Sequence, residues 1–101
     1  MQEAFRALAD PHRRTILRLL RRGERPAGEL ATATGLSPAA VNHHLTVLKL
    51  ADLVRVERRG QFQVYSLNTT VFQDLLAEVL NLLTDPPLDL TEPTHPSGES
   101  T

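Results

Sequence analysis

The chain reads as a mainly α-helical domain carrying one β-hairpin, in the order α-α-α-α-β-β-α. Three observations predict this class. Apolar residues recur at the helical period as far as Leu50. The period then changes to two, over Leu53, Val54 and Val56 and again from Gln61 to Leu67, and it returns to helical spacing from Val71 to Leu83. Between those segments stand Gly23, Gly35 and Gly60, which are stop and turn residues.

Gln2 to Ala9 gives the first helix, with Ala4, Phe5 and Leu8 on one face. Asp10-Pro11 ends it and opens the second: Asp10 caps, and Pro11 takes the first position, where its missing N–H costs nothing. The second helix runs to about Arg22, with Ile16, Leu17 and Leu20 inward. Arg13, Arg14, Arg18, Arg21 and Arg22 cover its other faces, mostly as a solvated surface.

Pro26 to Thr34 forms a short third helix with Leu30 and small residues inward, stopping at Gly35. Pro26 offers no side-chain cap, so Glu29 is the acidic half of a capping box whose hydroxyl half is missing. Ser37 caps a fourth helix and Pro38 starts it; Val41, Leu45 and Leu48 then make one apolar stripe. Ala39, Asn42, His43 and Thr46 fall off that stripe, and none is acidic. Helix, glycine turn and capped second helix make a helix-turn-helix pattern, which also occurs in bundles that bind no nucleic acid. A buried seam with a neutral-to-basic, hydrogen-bonding outer face suits a DNA major groove.

Glu57-Arg58-Arg59-Gly60 reads as a tight turn between the two strands, with Gly60 supplying the special φ. A hairpin directly after a recognition helix is the wing of a winged helix-turn-helix. Arg58 and Arg59 at its tip are placed to grip phosphates or to enter the minor groove. Asn68 or Thr69 caps the last helix, roughly Val71 to Leu83. Its apolar positions are Val71, Phe72, Leu75, Leu76, Val79, Leu80, Leu82 and Leu83, a band wider than one core-facing stripe needs. The excess suggests a second burial surface, most simply a twofold partner; the alternative is that the helix folds back over its own domain. Residues 1–83 are therefore expected to form a DNA-binding and dimerisation domain. Residues 84–101, acidic and holding Pro86, Pro87, Pro93 and Pro96, have the composition of an extended or disordered tail.

The 101 residues fit one small domain, which buries only about 60–65% of its unfolded surface and would gain from dimerisation. Cysteine is absent, which excludes disulfides, thiolate metal sites and thiol redox sensing. No run approaches the roughly 18 apolar residues of a membrane span, and no signal-peptide core stands at the N-terminus, so a cytoplasmic protein is expected. The net charge of −1 hides a division. Residues 1–66 hold all 11 Lys and Arg against six acids; residues 67–101 hold the other six acids and no base. That asymmetry suits a nucleic-acid-facing body with an acidic end, and it equally suits a soluble domain with an acidic end. Ten of the bases are Arg, the better bidentate partner of phosphate and guanine.

These residues resemble a known family. Phe5-Arg-Ala-Leu-Ala-Asp-Pro-His-Arg-Arg-Thr-Ile-Leu, the Gly28-Glu-Leu-Ala run, His44-Leu45 with Leu48-Lys49, and Ala51-Asp-Leu-Val resemble, in order, the ArsR-type winged-helix repressors. Tyr65-Ser-Leu-Asn followed by Thr69-Thr-Val-Phe-Gln-Asp is more narrowly similar to the SdpR-type autorepressor branch. The resemblance covers about residues 2–83. It implies a homodimer built on the first and last helices, repressing transcription at an imperfect palindrome. It carries DNA contact to Ser37, Ala39, Ala40, Asn42, His43 and His44 in the helix and to Arg58 and Arg59 in the wing, with Thr46 and Lys49 completing the DNA-facing set. The dimerisation set is Phe5, Leu8, Phe72, Leu75, Leu76, Val79, Leu80 and Leu83. Ala40 and Asn42 stand where the pattern usually has Ser or Thr and Ser. Metal-sensing members use cysteines in the helix-turn-helix, absent here, or Asp/His/Glu sets in the last helix, where this chain has Asp74 and Glu78 but no His.

His43 and His44 are adjacent and diverge by about 100° on a helix, so they cannot chelate one ion together. His43 is expected to face DNA, and His44 to be partly buried and hydrogen-bonded to its neighbours. His12 reads as a surface or packing residue, and His95 with Asp85, Asp89 or Glu92 as at most an adventitious metal site. No nucleophile–base set or phosphate loop points to catalysis. The expected function is a sequence-specific DNA-binding repressor, its partners double-stranded DNA and a second copy, with no metal, cofactor or membrane. Two other readings remain open: a metal-operated repressor of the same fold, and a winged helix used as a protein-interaction module.

Overall fold

The computed structural model describes residues 1–84; the expected tail beyond Thr84, with the His95 cluster, lies outside the described residues. Five helices and three strands follow in the order α1 (Gln2–Leu8), α2 (Pro11–Arg21), β1 (Arg25–Pro26), α3 (Ala27–Thr34), α4 (Pro38–Leu50), β2 (Val54–Arg59), β3 (Phe62–Leu67) and α5 (Thr69–Asn81). The mainly α class with a hairpin wing is as expected. The short strand β1 is an addition that the sequence period did not reveal.

Each helix starts where local chemistry lets it. The Asp10 carboxylate accepts the amides of His12 at 2.8 Å and Arg13 at 3.2 Å, satisfying two donors of the first turn of α2. The Ser37 hydroxyl accepts the Ala40 amide at 3.1 Å and so starts α4. Between them α3 has no side-chain cap, because Pro26 stands at that position. Pro26 is instead extended and belongs to β1, an edge strand that pairs Arg25 with Tyr65 and Pro26 with Val64. An edge tolerates a residue that cannot donate to the ladder. Gly35 ends α3 at φ 73°, the left-handed value a glycine reaches without cost.

The hairpin is longer than its sequence suggests. The ladder continues through Arg58 opposite Gln63 to Arg59 opposite Phe62, so the turn is Gly60-Gln61 rather than Glu57 to Gly60. Gly60 at φ 61° supplies the positive dihedral of such a two-residue connection. At the other end of β2 the chain leaves α4 through a left-handed residue, Asp52 at φ 61°. Its amide reaches the Lys49 carbonyl at 2.9 Å, and that of Leu53 reaches Leu48 at 3.0 Å, the paired bonds of a Schellman closure. Asn68 was expected as a possible cap of α5, but its side chain makes no such bond. It donates instead to the Asp52 carbonyl at 2.9 Å, tying the foot of the wing to the end of α4.

The core is one cluster. Ile16, Leu17 and Leu20 of α2 meet Leu30 of α3, Val41, Leu45 and Leu48 of α4, Leu53, Val54, Tyr65, and Leu75 of α5. Helix α1 packs through Ala4 and Ala7. Phe5, expected on one face with Ala4 and Leu8, is 37% exposed, while Leu8 is partly buried. Alanines at the contact let α1 approach closely.

Candidate nucleic-acid interface

Helix α4 buries Val41, Leu45 and Leu48 and turns the opposite face outward. Ser37, Ala39, Asn42, His43, Thr46 and Lys49 are all exposed; Ala40 and His44 are half-buried at the margins. The exposed set carries no acid, so nothing on this face repels a phosphate backbone. Ser37 uses one lone pair for its cap and keeps its hydroxyl proton for an outside acceptor. Thr46 donates to the Asn42 carbonyl at 2.9 Å, which leaves its oxygen as an acceptor. Asn42 and His43 remain the side chains with free hydrogen-bonding edges at the centre of the face. The N-terminus of α4 adds the positive end of a helix dipole, and with Pro38 lacking an N–H and the Ala40 amide capped by Ser37, the Ala39 amide is the first-turn donor left over.

His44 is not a simple surface contact. Its ring is 5.6 Å from that of His43 and 5.8 Å from that of His12, centre to centre. Its Nδ1 is 3.3 Å from the guanidinium of Arg13. Desolvation, partly offset by Asp10 and reinforced by Arg13, His43 and His12, holds its pKa below the ordinary imidazole value.

The two wing arginines differ. Arg58 is exposed and, among the described residues, bonds only a carbonyl of its own turn, that of Gly60, at 3.2 Å. Arg59 is held by two carboxylates: Glu24 grips it in a bidentate pair and Glu57 meets it at 2.7 Å. Hydrogen bonding to Arg59 keeps the Glu24 carboxyl below its usual pKa. Arg58 is therefore the wing cation ready for a phosphate, and Arg59 must first leave its partners. Sequence reasoning treated the two as equivalent. Glu24 comes 35 residues before Arg59 and carries no local signal of the pairing.

The expected dimerisation residues also divide. Leu75 is 5% exposed and belongs to the core of its own chain. Phe72 and Leu8 pack partly against that core, and Leu80 is half-buried. Leu76, Val79 and Leu83 stand out at 59%, 41% and 78% exposed, with Phe5 and the unexpected Leu82 beside them in the set of exposed large apolar residues.

A trihelical body, a helix-turn-helix with a non-acidic outer face, and a basic hairpin behind it define a winged helix-turn-helix of the DNA-binding class. Residues 10–56 match the family described as bacterial regulatory protein, arsR family. Over 83 residues the chain is 45% identical to the transcriptional repressor SdpR of Bacillus subtilis (strain 168), covering 82% of this chain and 92% of that one. It is 43% identical over 76 residues to the HTH-type transcriptional regulator NmtR of Mycobacterium tuberculosis, covering 75% of this chain and 63% of that one. Among solved structures it is similar to the homodimeric winged helix-turn-helix DNA-binding domain of a possible ArsR-family regulator from Mycobacterium bovis. There the TM-score is 0.68 and the identity 33%, over 93% of this chain and 86% of that one. The chain belongs to the ArsR family of bacterial regulatory proteins. It is a transcriptional regulator, not an enzyme, and the expected family and fold are borne out.

Among the described residues no cluster of His, Asp and Glu has the arrangement of a metal site, and no helix is long and apolar enough to cross a membrane.

Proposed function

We propose that the protein is a cytoplasmic, homodimeric repressor that binds an inverted-repeat operator, with residues 1–83 as the binding and dimerisation unit. The observation that carries this is the pairing of two unsatisfied surfaces on one small domain. One is the acid-free face of α4 with Arg58 beside it. The other is the apolar stripe Leu76, Val79, Leu82 and Leu83 on and after α5. A twofold contact through the stripe removes apolar surface from water and repeats the recognition helix at a fixed spacing. In a helix-turn-helix dimer that spacing is one duplex turn, about 34–36 Å, so both copies of α4 enter successive major grooves. The M. bovis neighbour is described as homodimeric and SdpR as a repressor, which supports carrying both properties over.

On this reading Asn42 and His43 read base edges, Ser37 and Lys49 hold flanking phosphates, Ala39, Ala40 and Thr46 give close apolar approach, and Arg58 secures the wing. The test combines sedimentation with footprinting on the promoter of the protein's own gene. A dimer protecting an inverted repeat is the expected result. A monomer at micromolar concentration, or no protected repeat there or in a selected pool of random duplexes, overturns the proposal.

A further inference from the structure

Arg13 is placed where three elements meet. Its Nε donates to the Ala7 carbonyl at 2.8 Å and one terminal nitrogen to the Arg6 carbonyl at 3.3 Å, so it closes the C-terminal turn of α1. Its other terminal nitrogen is 3.3 Å from His44 Nδ1 on α4. It sits on α2, where the capped first turn fixes its backbone. An arginine side chain can only donate and stays charged at any ordinary pH. The Nδ1 atom facing it must therefore accept, which makes His44 neutral with its proton on Nε2.

We propose that Arg13 is a positioning residue of the DNA interface: it locks His44 as the neutral Nε2–H tautomer and so presents an uncharged hydrogen-bond donor to the phosphate backbone at the edge of the recognition helix. The proposal rests on the DNA-binding reading given above. Among the described residues no protein group accepts from Nε2, so that donor is left for an outside oxygen. The charged and titratable groups facing the ring are Asp10, His12 and Arg13 from the α1–α2 side and His43 from α4 itself. Three of the four are cationic or become so in acid, and burial disfavours a charged ring further. His44 thus lies on the inner edge of the helix, toward the body, where the backbone rather than the base edges passes. Because the same guanidinium grips the end of α1, Arg13 also couples the position of α1 to that of α4.

Nitrogen-15 NMR of the imidazoles in the free, full-length protein reads the tautomer directly. The expected spectrum has His44 Nδ1 unprotonated and Nε2 protonated at pH 7, with a pKa below the ordinary imidazole value. In Arg13→Gln the His44 tautomers mix and its pKa rises. Losing a hydrogen bond that a charged group anchors lowers affinity for the operator about tenfold. Two further variants keep the proposal testable if Arg13→Gln does not fold. His44→Ala lowers affinity without changing the slope of log affinity against log salt, since a neutral donor displaces no counterion. Arg13→Lys keeps the charge but not the fork and shows the same tautomer mixing. Where both single variants fold, adding Arg13→Gln to His44→Ala has no further effect on affinity. A wild-type His44 protonated on Nδ1, or a His44→Ala variant with unchanged affinity, overturns the proposal. Failure of the wild-type chain to bind any duplex overturns the functional reading instead, and leaves the tautomer measurement standing.

Discussion

Glu24, in the bend after α2, holds the guanidinium of Arg59 at the far end of β2 through both carboxylate oxygens. The pair is about half exposed, so it is screened and adds little to stability. Its consequence is functional, because it occupies a wing cation that would otherwise face a phosphate. Glu24→Gln removes that charge competition, although Glu57 still holds Arg59 from its own strand. The expected outcome is tighter operator binding with a steeper salt dependence, by up to about 0.9 in the log–log slope for one added phosphate contact. Fluorescence anisotropy between low and physiological salt measures this; an unchanged slope shows that Arg59 stays with Glu57.

Arg58 gives the reciprocal case. Among the described residues its one hydrogen bond is to the Gly60 carbonyl, within its own turn. Arg58→Ala is expected to weaken binding to all duplexes alike and to flatten the slope by about 0.9, with little change in melting temperature. Arg59→Ala is expected to flatten it less. Equal effects of the two substitutions contradict the division drawn here between a held and an available arginine.

Much of this was legible in the sequence, and the reasons are local. Asp10-Pro11 and Ser37-Pro38 mark helix starts because capping and proline geometry act within one turn. Val41, Leu45 and Leu48 mark a buried seam because periodicity records which face meets the core. The misses are long-range. β1 is two residues whose pairing with β3 is made across some forty positions, too short for a period to appear. Glu24 finds Arg59, and Arg13 finds His44, only once the chain has folded. Leu75 and Leu76 look alike in sequence, yet one is sealed in the core and the other exposed. Within a band of leucines, only the packed structure separates core from interface.

That separation predicts two different failures. Leu75→Ala removes core volume and is expected to cost about 2–5 kcal/mol of folding stability, visible as a lower denaturant midpoint. Leu76→Asp with Val79→Asp changes two exposed residues that lie outside the buried cluster. It is expected to give a folded monomer by sedimentation, with helical circular dichroism preserved. Loss of the second half-site contact then lowers operator affinity by about 100-fold or more. If the double variant stays dimeric, the stripe on α5 is not the contact.

His44 also makes stability depend on pH. Burial, chiefly, sets its folded pKa below the value of about 6.5 that it takes in the unfolded chain. The unfolded state therefore binds the proton first as the solution is acidified. The contribution is complete above about pH 6.5 and is lost as pH falls toward the folded pKa. The part of the slope that His44 contributes in that window is expected to disappear in His44→Ala. Chemical denaturation at half-unit steps from pH 7.5 to 5 measures it. A variant that retains the full slope assigns it to another group.

The joint between α4 and the wing supplies a stabilising substitution. Asp52 takes φ 61°, a region where a Cβ is unfavourable, and it does so because the Schellman closure of α4 needs a left-handed residue there. Among the described residues its carboxylate makes no hydrogen bond, whereas its carbonyl receives Asn68 at 2.9 Å. Asp52→Gly relieves the backbone without touching that bond. The gain is partly offset by the larger conformational entropy of glycine in the unfolded chain, leaving about 0.5–1 kcal/mol of net stabilisation. Asn68→Ala acts the other way, freeing the foot of the wing and costing about 1 kcal/mol for the lost hydrogen bond. The two effects meet at one carbonyl, so a double-mutant cycle is expected to show coupling if the Asp52 backbone moves when glycine is introduced, and simple additivity if it does not.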